Sequence, residues 1–154
     1  MLKIELGCGA RKAKGFIGVD KNPEHADICI DMEKDLLSHF KENEVDEIRA
    51  YNFLEHIERE RVIPLINDIW RVLKNNGIFD SYTPSTESGC AAFQDITHKS
   101  YWNRRSFDYY TTSFKRFYIP EGLNPDLHFD VISIKNETEK DGNIFVHAIL
   151  KAIK

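Results

Sequence analysis

Leu2-Lys3-Ile4-Glu5-Leu6-Gly7-Cys8-Gly9, followed by Phe16-Ile17-Gly18-Val19-Asp20, is the stretch from which the rest of this chain is read. An apolar run ends in an acid and two glycines, and a second apolar run ends in an aspartate. In an α/β domain that order builds a strand, a tight turn and a second strand whose tip carries a carboxylate. Gly7 and Gly9 let the backbone turn sharply and pass close beneath a ligand, where a Cβ would intrude. A carboxylate at the second strand tip can accept both hydroxyls of a ribose. Asp20 is placed for that role, with Lys21 beside it.

Spacing narrows the ligand. G-x-G-x-x-G needs a glycine where Lys12 stands. Thirteen positions separate Gly7 from Asp20, against roughly twenty in a dinucleotide unit. The connecting helix is therefore very short, and no long helix N-terminus is available for a pyrophosphate. The pattern argues against a nicotinamide oxidoreductase and for a nucleoside cofactor without phosphates.

The 154 residues, 42% hydrophobic and 30% charged, sustain one domain, 1–154, with its own core, so any acceptor surface must come from its loops. A formal charge of −4 argues against a dedicated nucleic-acid binder. Cys8, Cys29 and Cys90 are scattered with no C-x-x-C, the usage of a reduced, cytoplasmic protein without disulfides or a zinc site. No signal peptide is read at the start, and no apolar run nears the roughly eighteen residues of a membrane span.

Downstream, 26–31 reads as a third strand ending in Asp31. Ligands in open parallel sheets sit outside the carboxyl ends of the strands, which sets Glu5, Asp20 and Asp31 on one rim. Leu36, Leu37 and Phe40 suggest a short helix. Residues 45–52 read as a fourth strand, and Phe53-Leu54-Glu55-His56-Ile57 leads into a helix with Val62, Leu65, Ile66, Ile69 and Leu73 on one face. Asn75-Asn76-Gly77 stops it, and 77–83 is a fifth strand in which Asp80 and Ser81 sit oddly for a buried element. A long irregular stretch, 85–103, precedes an expected helix over 104–117, with Phe107, Tyr110 and Phe114 at packing positions. Residues 131–135 and 144–153 pair about Asp141-Gly142 as a hairpin.

Taken together, Glu5-Leu6-Gly7-Cys8-Gly9, Gly15-Phe16-Ile17-Gly18-Val19-Asp20, Leu54-Glu55-His56-Ile57, Trp70-Arg71-Val72-Leu73-Lys74 with Gly77, Thr83-Pro84-Ser85 and Phe93-Gln94-Asp95-Ile96-Thr97-His98 resemble the small, single-domain class I S-adenosylmethionine-dependent methyltransferases. The resemblance implies an α/β fold, a three-layer Rossmann-like sandwich with a seven-stranded, mostly parallel sheet and an antiparallel C-terminal hairpin. It also implies S-adenosyl-L-methionine as cofactor. Glu5 would hold the methionine amino group, Gly7, Cys8 and Gly9 would pass beneath the donor, Asp20 would take the ribose, Asp31 and Met32 the adenine, and Asn52 and Phe53 would close the methionine side. Arg11 and Lys74-Asn75-Asn76-Gly77 depart from the family's usual glycine and Lys-Pro-Gly-Gly turn.

Methyl transfer to a hydroxyl needs a base as well as alignment. His98 with Asp95 as orienting partner is the first candidate, His56 with Glu55 the second. Glu55, Asp95 and His98 have no metal-ligand spacing, so no metal is expected. Lys99, Arg104, Arg105, Lys115 and Arg116 oppose only Asp108 over 98–118, which suggests that 85–118 is a cationic lid. In it Tyr101 and Trp102 would cover the acceptor while Arg104 and Arg105 hold its phosphate or carboxylate. The absence of Asn/Asp-Pro-Pro-aromatic at Asn52-Phe53-Leu54, and of a Pro-Cys pair, argues against a nucleic-acid acceptor. The expected acceptor is a small molecule, by family analogy a sugar or saccharide precursor. The alternative is a catalytically idle module that binds the cofactor or its product and acts through a partner. Oligomeric state is not addressed by the sequence.

Overall fold

A computed structural model of the chain describes residues 1–35, 37–88, 90–111 and 120–154. Leu36, and Phe114, Lys115, Arg116, Phe117 and Tyr118 of the expected helix and lid, lie outside the described residues. Seven strands form one sheet: β1 (Lys3–Leu6), β2 (Ile17–Asp20), β3 (Ile28–Cys29), β4 (Val45–Tyr51), β5 (Leu73–Pro84), β6 (His128–Thr138) and β7 (Ile144–Ile153), in the order β3-β2-β1-β4-β5-β7-β6. β1 to β5 pair in parallel, and β7 runs antiparallel to both β5 and β6. The expected α/β sheet with its C-terminal hairpin is the fold observed.

Strict alternation builds the core. Ile48 and Ala50 of β4, Phe79, Ser81 and Thr83 of β5, and Val146, Ala148, Leu150 and Ala152 of β7 are all fully buried on one face. Helix α1 (Arg59–Val72) lays Leu65, Ile66, Ile69 and Val72 against that face, a spacing that puts them on one stripe. Each such aliphatic side chain contributes roughly 1.5–3 kcal/mol on burial. The other face carries Arg49, Tyr51, Asp80, Tyr82 and His147 in cross-strand register. Asp80 is thereby explained: β5 is a two-sided, half-exposed strand, and Asp80 accepts from Tyr51 Oη at 3.1 Å and sits 2.8 Å from His147 Nε2.

This second face bears no α-helix among the described residues. Cross-strand charge pairs cover it instead: Lys3 with Glu47, Arg49 with Glu5 at 3.5 Å, Lys151 with Asp130 at 3.6 Å, and His147 with Glu137 at 2.9 Å. The Arg49 guanidinium lies 3.8 Å from the Tyr51 ring centre. Each exposed pair is worth about 0.2–1 kcal/mol.

Some elements differ from the sequence reading. Residues 37–40 form turns, because Arg71 takes the carbonyls of Phe40 and Leu37 at 3.0 and 3.2 Å and Asp68 takes the Leu37 N–H. The third strand shrinks to Ile28–Cys29, since the Asp27 carboxylate binds the Gly18 N–H at 2.7 Å and turns the chain before pairing extends. Leu73 already pairs with Val45, and the register then shifts before Ile78 meets Glu47. Within the expected 104–117 helix, the described part is a 3-10 helix, Arg104–Tyr110, started by a reciprocal Asn103–Ser106 cap. No described helix is long and apolar enough to cross a membrane.

Carboxylate contacts set the acid limit. Hydrogen bonds from Lys12 and the Gly18 N–H hold Asp27 below its ordinary range, and Lys74 with the Leu2 N–H does the same for Asp46. A depressed folded pKa gives stability that is present above the unfolded value, about 4, and is lost as pH falls through the folded one. The melting temperature is expected to stay level from about pH 7 to pH 5 and to drop below about pH 4. Asp27→Asn with Asp46→Asn should shallow that drop in a pH series of thermal melts.

Candidate active site

The carboxyl ends of β1, β2 and β4 open onto a cavity of about 410 Å³, and its lining includes Gly7, Asp20, Lys21, Asp31, Met32, Asn52 and Phe53. These are seven of the ten residues expected at the cofactor. Gly7 sits at φ +63°, and a Cβ there would run into the Phe53 ring. Asp20 closes the β2 tip: Oδ2 accepts the Gly9 N–H at 3.0 Å and Oδ1 the Asn22 N–H at 2.9 Å. Each oxygen then keeps acceptor capacity for a ligand hydroxyl.

Glu5, Cys8 and Gly9 lie outside the lining. Glu5 is 6% exposed, and its carboxylate accepts the Ala13 N–H at 2.6 Å while pairing with Arg49, so it braces the first loop from within. Cys8 is buried, its thiol pushed up by burial and then by Asp20 and Glu5, a setting that disfavours the reactive thiolate. Gly9 has open space where a Cβ would stand.

The far wall is built by residues that the sequence did not single out for the cavity: Ile30, Glu33, Ile57, Thr97 and Lys99. Lys99 Nζ bridges Glu33 at 2.8 Å and Glu58 at 2.9 Å, and its hydrogen bond to Glu33 holds that carboxyl below the ordinary range. The bridge ties Glu33, near Asp31 on the rim, to the long loop. Lys99 also borders a second groove of about 510 Å³ that includes Arg59, Val62, Tyr101, Trp102 and Tyr109.

Beside the cavity, Glu55, His56 and His98 bring one nitrogen or oxygen each within 4.8 Å of one another. His56 lines the cavity and its ring meets His98 edge-on at 5.1 Å. The His98 side chain is 6% exposed and donates Nδ1–H to the Ala92 carbonyl at 2.8 Å. Asp95 lies 3.8 Å from His98 Nε2, beyond hydrogen-bond reach, and binds Thr97 instead, through N–H at 2.8 Å and Oγ1 at 2.7 Å. Glu55 is 2% exposed; burial pushes its carboxyl up, while the Thr83 hydroxyl at 2.7 Å and the two imidazoles pull the other way.

The structure moves part of the expected acceptor surface into the core. Trp102 is 3% exposed, donates Nε1–H to Ser100 Oγ at 2.9 Å and packs on Phe107. Its apolar bulk and its one donor are both satisfied there, and it lines the second groove rather than the 410 Å³ cavity. Tyr101 is exposed, and its ring meets that of Phe93 at a tilt, with centres 4.9 Å apart. Arg104 pairs with Glu87 at 3.3 Å, and neither Arg104 nor Arg105 lines the cavity. Two cations of the expected lid, Lys99 and Arg104, are thus already neutralised by carboxylates.

No family model matches the sequence, and no curated protein matches it in sequence. Solved structures do share its fold. One is a SAM-dependent methyltransferase from Archaeoglobus fulgidus, 17% identical, with 97% of this chain and 85% of that one covered at a TM-score of 0.72. Another is the 1,6-didemethyltoxoflavin-N1-methyltransferase of Burkholderia thailandensis with its acceptor and S-adenosylhomocysteine bound, 11% identical, 99% and 71% covered, TM-score 0.66. The cyclase SpnF has the same fold at 10% identity, 98% and 74% covered, TM-score 0.67. The chain therefore has the class I methyltransferase fold. A cyclase among the similar structures illustrates that the reaction must be argued from the site.

Proposed function

We propose that this chain transfers a methyl group from S-adenosyl-L-methionine to an oxygen of a small-molecule acceptor, with a sugar or saccharide precursor as the class to test first. The observation that carries the reading is the Asp20 carboxylate at the β2 tip, facing a cavity that runs from Asp31 to His56. Bound there, the cofactor supplies an electrophilic methyl on a positively charged sulfur.

In this reading Asp20 takes the ribose hydroxyls, Asp31 and the Met32 backbone meet the adenine, and Asn52 and Phe53 close the methionine side. Gly7 keeps the floor low enough for close approach. The acceptor hydroxyl is brought to the Glu55–His56–His98 cluster, where its proton is removed. His56 supports that role by lining the cavity; His98, nearly closed off from solvent, positions His56, with Asp95 on its outer side. Tyr101, at the second groove, extends the acceptor surface. A small-molecule acceptor fits a single domain whose cavity is walled by its own loops, in the reduced cytoplasmic setting that the scattered cysteines suggest.

The test is a methyl-label transfer assay with S-adenosyl-L-methionine against a panel of sugars, nucleotide sugars and a total metabolite extract. A labelled product that requires Asp20 and is lost in His56→Ala supports the enzyme. Tight cofactor binding with no product from any acceptor supports the idle binding module. Failure to bind the cofactor at all removes both.

A further inference from the structure

Glu55 is 2% exposed, and among the described residues no lysine or arginine pairs with it. A carboxylate this deep is ordinarily matched by a cation or a metal. Two imidazoles face it, and the three side chains offer one ligand atom each within 4.8 Å of one another. We propose that Glu55, His56 and His98 bind one first-row divalent cation, of the zinc, cobalt, manganese or iron(II) class, at the base of the acceptor side of the cavity.

The donor set fits that class. Two imidazole nitrogens with one carboxylate oxygen suit borderline divalent ions, whereas magnesium and calcium prefer all-oxygen sites. Three protein ligands leave a position open, the pattern of catalytic rather than structural sites. His56 lines the cavity, so the open position faces the space an acceptor would enter.

An outer shell of the kind that orients metal ligands is already in place. Thr83 Oγ1 donates to Glu55 Oε2 at 2.7 Å. His98 gives Nδ1–H to the Ala92 carbonyl at 2.8 Å, which leaves Nε2 as the lone-pair nitrogen. The Glu55 carbonyl accepts the N–H groups of Lys99 and Ser100 at 2.7 and 3.1 Å, so the turn carrying the carboxylate is pinned. A tetrahedral ion about 2.1 Å from each donor holds the donors about 3.4 Å apart. The His56 ring, only partly buried and 3.5 Å from Thr97 Oγ1, would turn to close that distance when the ion binds.

What the ion does rests on the methyl-transfer reading; that it binds does not. With the ion bound, the cluster promotes loss of the acceptor proton as ligands rather than as bases: a hydroxyl entering the open position coordinates through its oxygen, its proton passes to water, and the oxygen faces the methyl group as the more nucleophilic form.

The experiment is a titration of the full chain with Co²⁺, followed by visible absorption, without S-adenosylmethionine. Wild type is expected to take up one Co²⁺ with ligand-field bands, and Asp20→Ala to do the same. Glu55→Gln, His56→Ala and His98→Ala are expected to lose affinity by roughly 100-fold or more, and Thr83→Val by about 10-fold. Absence of bands in wild type, or affinity unchanged in His56→Ala, overturns the site. His56 is partly exposed, so its removal leaves the fold intact, and circular dichroism verifies that. Co²⁺ uptake by a chain that fails to bind S-adenosylmethionine would keep the cation site and sink the methyl-transfer reading; the opposite pattern would sink the cation site alone.

Discussion

Asp20→Ala is expected to weaken binding of both S-adenosylmethionine and S-adenosylhomocysteine by at least roughly 100-fold, read by calorimetry. The size follows from the bonds lost. Hydrogen bonds to a charged acceptor are worth about 1.5–3 kcal/mol each, and a ribose offers two donors; even one full bond and part of a second amount to about 3 kcal/mol. The same carboxylate also fixes the loop, through the N–H groups of Gly9 and Asn22. Asp20→Asn separates the two contributions: it keeps one acceptor oxygen for the loop but drops the charge, so its loss should fall between wild type and Asp20→Ala. Wild-type affinity in Asp20→Ala would put the nucleoside somewhere other than the β2 tip and remove the basis of the proposed function.

How much of this site could be read beforehand depends on how local its determinants are. Gly7, Asp20, Asp31 and Asn52 each lie at a strand end or within two residues past it, and strand ends are visible in a short window of apolar alternation. Lys99 and Glu33 were missed as cavity residues because they meet across 66 positions, through side chains that look like any solvated charges in sequence. Trp102 illustrates the converse. An aromatic residue in a long loop reads as a ligand cover until its indole N–H is seen to have a buried partner, Ser100, which is itself bonded to the Leu54 carbonyl at 2.8 Å. Asp80 is anomalous only for a β5 buried on both sides. That no α-helix among the described residues lies over Tyr51, Tyr82 and His147 is a tertiary fact, and it makes a strand with Ile78, Asp80 and Tyr82 facing outward ordinary. For Lys99 and Arg104 the positive charge is legible in the sequence, but the partners Glu33, Glu58 and Glu87 are not.

The same consideration makes Phe107→Ala the mutation with the largest expected effect on stability. Phe107 is fully buried, packs against Trp102 with ring centres 5.2 Å apart, and belongs to the single core that includes Phe129 and Tyr110. Truncation of such a ring typically costs about 3–5 kcal/mol, a large fraction of a total stability of about 5–15 kcal/mol. For a chain of this length that corresponds to a fall in melting temperature of roughly 6–20 °C. The consequence should reach the site. The chain around Phe107 is stitched to the sheet by the Thr86 N–H on the Trp102 carbonyl at 2.8 Å and by bridges from Ser85 to Trp102 and from Thr111 to Phe129. Just upstream, Lys99 and Ser100 hold the turn that presents Glu55 and His56. Loosening the brace should therefore lower turnover and Co²⁺ affinity together while leaving nucleoside binding at Asp20 less affected. Arg105→Ala, on the exposed side of the same 3-10 turn, should stay within about 0.5 kcal/mol of wild type. Melting of Phe107→Ala within a degree or two of wild type would mean that 98–111 is an independent flap, and the positioning of His98 and Glu55 would then need another source.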